Sequence, residues 1–163
     1  MSTKFEAFTE ILLYGTEAEV RDVLAKRTKM VAESDEFGFT PLHILMTETR
    51  PGIAALLIQA GADPMARNED GNTPLHICQC PETVGVLIDA GVDVDVRNND
   101  DQTPLIVQAA EGDATGSLAT IKALLERGAD PAAKDASGAT ASSIARLRCE
   151  AEKVELLETF SRK

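Results

Sequence analysis

The chain has 163 residues, 44% hydrophobic and 26% charged, an ordinary balance for one soluble unit that buries a core. Aromatic residues make up 4%, with no tryptophan, so that core must be built from Leu, Ile, Val and Ala. The net charge of −11 repels phosphate and argues against nucleic acid as the partner, while no run approaches the ~18 apolar residues of a membrane span.

In chain order, a first unit covers about residues 4–34. It has no threonine-proline start, but Gly15-Thr16-Glu17-Ala18-Glu19-Val20-Arg21-Asp22-Val23-Leu24 reads as a helix. The second unit, 35–67, runs from Asp-Glu-Phe-Gly-Phe into Thr40-Pro41-Leu42-His43. It then reaches the leucine-rich Leu56-Leu57-Ile58-Gln59-Ala60-Gly61. The third, 68–97, repeats the plan with Asn-Glu-Asp-Gly-Asn, Thr73-Pro74-Leu75-His76 and Val86-Leu87-Ile88-Asp89-Ala90-Gly91. The fourth, 98–134, keeps Thr103-Pro104-Leu105-Ile106 and ends its helical run at Leu124-Leu125-Glu126-Arg127-Gly128. The fifth, 135–163, opens at Thr140-Ala141-Ser142-Ser143-Ile144-Ala145 and turns polar, as a closing unit must.

The physical reading is the same in each unit. The threonines are placed to cap a short helix, and the prolines at 41, 74 and 104 occupy its first position, where a missing N–H is harmless. Gly61, Gly91 and Gly128 end a second helix with a left-handed residue. Gly38, Gly71 and Gly138 mark the next bend, where Asp101 stands in the fourth unit at some conformational cost. From Thr40 to Thr73 the offset is 33 residues, a period that points to a repeat architecture. Unit three is short between its helices, with a clipped first helix expected near Gln79-Cys80-Pro81. Unit four is long, with an extra loop expected around Ala114-Thr115-Gly116-Ser117.

With Gly38–His43, Gly71–His76, Gly61-Ala62-Asp63 and Gly128-Ala129-Asp130 in register, the chain resembles the ankyrin-repeat family over nearly its whole length. The resemblance implies an all-α ankyrin-repeat solenoid of about five helix-turn-helix units with capping terminal repeats, and residues 1–163 are expected to form a single domain. It also assigns His43 and His76 a structural task, bridging the threonine and backbone groups at the start of the first helix.

Candidate chemistry is sparse. His76, Cys78 and Cys80 are close in sequence, but zinc sites call for four ligands at wider paired spacing, so no metal or other cofactor is expected. Three cysteines without framework spacing fit a reducing compartment, and the acidic amino terminus does not read as a signal peptide, so a cytoplasmic protein is expected. No phosphate loop, nucleophile elbow or metal-binding His-Glu-x-x-His occurs, and an enzyme is not expected.

The ankyrin resemblance implies a row of projecting fingers that, with the first helices, makes a concave binding face. The residues this places at the partner are Glu36, Phe37 and Phe39; Glu69, Asp70 and Asn72; and Asn99, Asp100, Asp101 and Gln102. A fourth finger carries Ala136, Ser137 and Ala139. Three fingers bear acids, and the first adds two aromatics of the kind that anchor interfaces. The expected function is non-catalytic protein–protein interaction by a monomer, with another protein as partner; the acidity is compatible with a basic partner but is also common among soluble proteins without that meaning. The alternative is an immunity-type or inhibitor protein masking a basic enzyme or toxin.

Overall fold

Thr40, Thr73, Thr103 and Thr140 all have extended backbone, with ψ of 165°, 166°, 163° and 162°, and each stands immediately before a helix. The computed structural model describes residues 3–111 and 115–161, and every regular element among them is helical. The helices fall into successive pairs. These are α1 (Thr3–Tyr14) with α2 (Glu17–Lys26), α3 (Pro41–Leu45) with α4 (Pro51–Gln59), and α5 (Pro74–Ile77) with α6 (Pro81–Asp89). Then come α7 (Pro104–Ala110) with α8 (Thr115–Glu126), and α9 (Ala141–Leu147) with α10 (Ala151–Ser161).

First helices stack on first helices, α1 on α3, α3 on α5, α5 on α7 and α7 on α9. Second helices form the other row, α2 to α4 to α6 to α8 to α10. The core lies between the rows. Leu42, Leu57, Leu75, Leu87, Leu105 and Leu124 are fully buried in it, each worth about 1.5–3 kcal/mol of transfer free energy.

Gly61, Gly91 and Gly128 end the second helices at φ of 98°, 96° and 94°. In each case the next amide reaches back to a helix carbonyl: Ala62 to Leu57 at 3.0 Å, Val92 to Leu87 at 3.2 Å, Ala129 to Leu124 at 3.0 Å. Asp101 has φ of 57°, in the same left-handed region as Gly38, Gly71 and Gly138. Replacing it with glycine is therefore expected to raise stability by about 0.5–1 kcal/mol, read from urea denaturation. An unchanged or lower midpoint would show that its side chain compensates the backbone.

The irregular units have a plain structural form. In unit three the first helix is a single turn of 4 residues, and Cys78 leaves it in extended conformation. In unit four Ala114 lies outside the described residues, and Thr115–Ser117 open α8 instead of forming a loop. That helix has 12 residues against 9 in α4 and α6, so the extra length is absorbed largely as an added turn.

The carbonyls freed where a first helix ends are taken, at each junction, by a donor from the following unit. Arg50 donates to Leu12 O at 2.6 Å and to Gly15 O. The Gln79 amide donates to Met46 O at 2.9 Å, and Gln108 Nε2 to His76 O at 3.0 Å. Lys153, buried on α10, donates to Glu111 O at 2.7 Å and pairs with the Glu150 carboxylate at 2.6 Å. That ammonium holds the Glu150 carboxyl below its usual range. Buried backbone oxygens need such partners, and here the next repeat supplies them.

Candidate functional site

Each finger is wound by one Asp or Asn side chain. Asp35 Oδ1 accepts the amides of Phe37 and Phe39 at 2.9 Å, and Asn68 Oδ1 accepts that of Asn72 at 2.9 Å. Asn98 Oδ1 accepts Asp100 at 3.0 Å and Gln102 at 2.9 Å, and Asp135 Oδ1 accepts Ser137 and Ala139 at 2.9 Å. This side-chain mimicry of a turn satisfies amides of the finger itself, and at the third tip Asn99 Nδ2 turns back to donate to Glu69 O at 2.9 Å.

The fingers then bond to one another in series. The Glu69 amide donates to Phe37 O, Asn99 to Asp70 O and Ala136 to Asp100 O, each at 3.0 Å. Arginines brace the finger bases: Arg67 donates to Gly71 O at 3.0 Å and Arg97 O at 2.7 Å, and Arg97 donates to Lys134 O at 2.6 Å. Their cations face carbonyls. Among the described residues no ion pair engages Glu36, Glu69, Asp70, Asp100 or Asp101, and all five are exposed.

The expected contact residues divide by exposure. Phe37 is 52% exposed at the first tip, and Asn99 is exposed beside Asp100 and Asp101. Phe39, Asn72 and Gln102 are half-buried where finger meets helix. Phe39 lies edge-on to the His43 ring, with centroids 5.8 Å apart, so it roofs the repeat as well as facing outward.

The histidines are struts with a defined tautomer. Thr73 N–H and its hydroxyl lie 3.1 and 3.0 Å from His76 Nδ1, while Nε2 lies 3.1 Å from Gln102 O. A carbonyl can only accept, so Nε2 carries the proton and Nδ1 is the acceptor. His43 repeats this with Thr40 at 2.8 Å and Asn72 O at 3.0 Å. Burial lowers both pKa values, that of His76 to about 4. Each ring thus ties its helix start to the next finger.

Cys78 and Cys80 are engaged separately. Cys78 Sγ donates to Cys80 O at 3.3 Å, and burial pushes its thiol up to about 12. Cys80 Sγ donates to Glu82 Oε2 at 3.1 Å. With both His76 nitrogens occupied, the trio does not converge on a common point. Among the described residues no group of three His, Cys, Asp or Glu is placed to hold a metal, and no helix is long and apolar enough to cross a membrane.

Sequence reasoning did not single out Asp35, Asn68, Asn98 and Asp135 as the residues that wind the fingers. Their equal place in successive units, two residues before each tip, was the available signal.

Stacked helix pairs, left-handed glycines and serially bonded fingers define a repeat protein of the ankyrin class, and comparison agrees. The family model for ankyrin repeats, in three copies, matches residues 3–98 and again 45–135, and the chain belongs to that family. It is 41% identical over 68 residues to human protein phosphatase 1 regulatory subunit 27, covering 42% of this chain and 44% of that one. It is 53% identical over 38 residues to rat NF-kappa-B inhibitor alpha, covering 23% of this chain and 12% of the relative. It also matches the Drosophila melanogaster Neurogenic locus Notch protein, 33% over 72 residues, covering 44% of this chain and 3% of the relative. The chain thus spans less than half the length of these relatives. Ankyrin repeats generally mediate protein–protein interaction.

Proposed function

We propose that residues 1–163 act as one non-catalytic, cytoplasmic, monomeric binding module, gripping a basic protein through the fingers and the first-helix face. The observation that carries this is the set of exposed carboxylates at Glu36, Glu69, Asp70, Asp100 and Asp101, none of them in an ion pair among the described residues, while Arg67 and Arg97 beside the second and third fingers are turned to carbonyls. Phe37 adds an exposed apolar anchor next to Glu36.

Replacing Phe37 and Phe39 together by alanine is expected to abolish partner capture from the native cytosol without loss of helicity. Because Phe39 also covers His43, Phe37→Ala alone separates recognition from support, and an affinity loss of at least tenfold is expected. Capture undiminished by Phe37→Ala would remove the anchor from the interface.

A second, narrower reading is an inhibitor or immunity-type protein that masks a basic enzyme or toxin. The same carboxylates favour it, and two relatives carry inhibitor and regulatory-subunit names. Electrostatic masking makes the association rate fall steeply between low and physiological salt. An association rate indifferent to salt speaks for an adaptor of the ordinary kind.

A further inference from the structure

One residue in each of the last four first helices lies four positions after the capping threonine: Ile44, Ile77, Val107 and Ile144. All four are half-buried, although the residues around them, such as Leu42, Leu45, Leu75 and Leu105, are fully buried. The repeat therefore places an aliphatic residue at the same point of each of these helices, a row one residue beyond the position from which His43 and His76 bond the next finger. Each member is β-branched, so it is already stiff and loses little freedom on contact.

Resting on the binding-module reading above, we infer that this row seats an amphipathic α-helix of the partner, with its apolar stripe on the four aliphatic side chains and lysines or arginines along the flank that meets the fingers. Packed helices lie about 8–10 Å apart, and seven residues of an α-helix rise about 10.5 Å. Positions i, i+7, i+14 and i+21 of one helix thus keep step with four successive units. An extended segment suits the site less, because its backbone needs donors and acceptors along its length. The finger groups that could supply them, Glu69 N with Phe37 O, Asn99 N with Asp70 O and Ala136 N with Asp100 O, are bonded to each other. A helix satisfies its own backbone and asks only for apolar contact and charge complementarity.

The test uses the full chain and two synthetic peptides of about 22 residues, long enough to span four units. Both contain only leucine and lysine in the same proportions. One has leucines at heptad positions a and d, and the other has them distributed around the helix. At physiological salt the first is expected to bind at least tenfold more tightly. It should shift the methyl resonances of Ile44, Ile77 and Ile144 and leave those of Ile58 and Ile88 on the second helices unmoved.

Ile77→Glu should weaken that binding at least tenfold. Should that variant fail to fold by circular dichroism, the near-isosteric Val107→Thr carries the same test, with about a threefold loss expected. Equal affinity for both peptides, or shifts confined to the second helices, would overturn the inference. If the peptides fail while Phe37→Ala still weakens capture of the native partner at least tenfold, only the helical partner is wrong. If Phe37→Ala also leaves capture unchanged, the binding-module reading falls with it.

Discussion

Lys153→Met is expected to lower stability by about 3 kcal/mol, seen as a fall of about 6–12 °C in Tm for a chain of this size. The methionine keeps most of the buried stem, so the loss isolates the ammonium. Without it, Glu111 O loses its 2.7 Å donor and the Glu150 carboxylate, whose side chain is only 17% exposed, keeps Arg148 alone as a partner. Breaking one side of such a pair is more damaging than removing both, because a charge stays behind in poor solvent. The double variant Lys153→Met, Glu150→Gln should accordingly recover part of the loss. If Lys153→Met melts like the parent protein, the ammonium is not the fastener at this junction. Acid should reproduce the effect: a carboxyl held below its usual range stabilises the fold above its unfolded pKa, and that stability is lost as pH falls through the folded value.

Acidification from pH 7 to pH 5 is expected to remove about 2 kcal/mol through His76 alone. Its folded pKa of about 4 lies below the ordinary 6.5, so the unfolded chain takes up the proton first. The contribution is therefore complete above about pH 6.5 and declines steadily towards pH 4. Protonation at Nδ1 would set an N–H against the Thr73 amide, 3.1 Å away, in a site with no exposed surface. His43 shifts the same way and adds to the slope. Urea midpoints between pH 7 and 5 read this out in a window above the range where most carboxylates titrate. His76→Gln should start lower at pH 7 and then fall by about 2 kcal/mol less over that window. A variant that keeps the full slope would place the acid sensitivity elsewhere.

The helix starts and stops were legible in the sequence because their causes are local. Thr-Pro sets a cap and a first turn within two residues, and Gly61, Gly91 and Gly128 each answer a left-handed requirement at their own position. The positive φ of Asp101 could be anticipated for the same reason. The junctions were not legible. Their donors are an arginine, a backbone amide, a glutamine amide and a lysine, so no residue type repeats even though the task does. The roofing of His43 by Phe39 is a contact through space that no spacing announces. Of the site, the acidic tips could be read from composition at each bend, whereas the immobilisation of Arg67 and Arg97 against carbonyls could not.

The cross-junction donors bear on whether these repeats can be treated as interchangeable cassettes. Cutting the chain at its own period parts each acceptor from its donor: Leu12 from Arg50, Met46 from Gln79, His76 from Gln108, Glu111 from Lys153. A unit transplanted into another ankyrin array would arrive with the wrong donor for the helix before it and bare carbonyls towards the one after. Grafting the proposed binding face onto a consensus scaffold therefore calls for moving adjacent units together with the polar fastener between them.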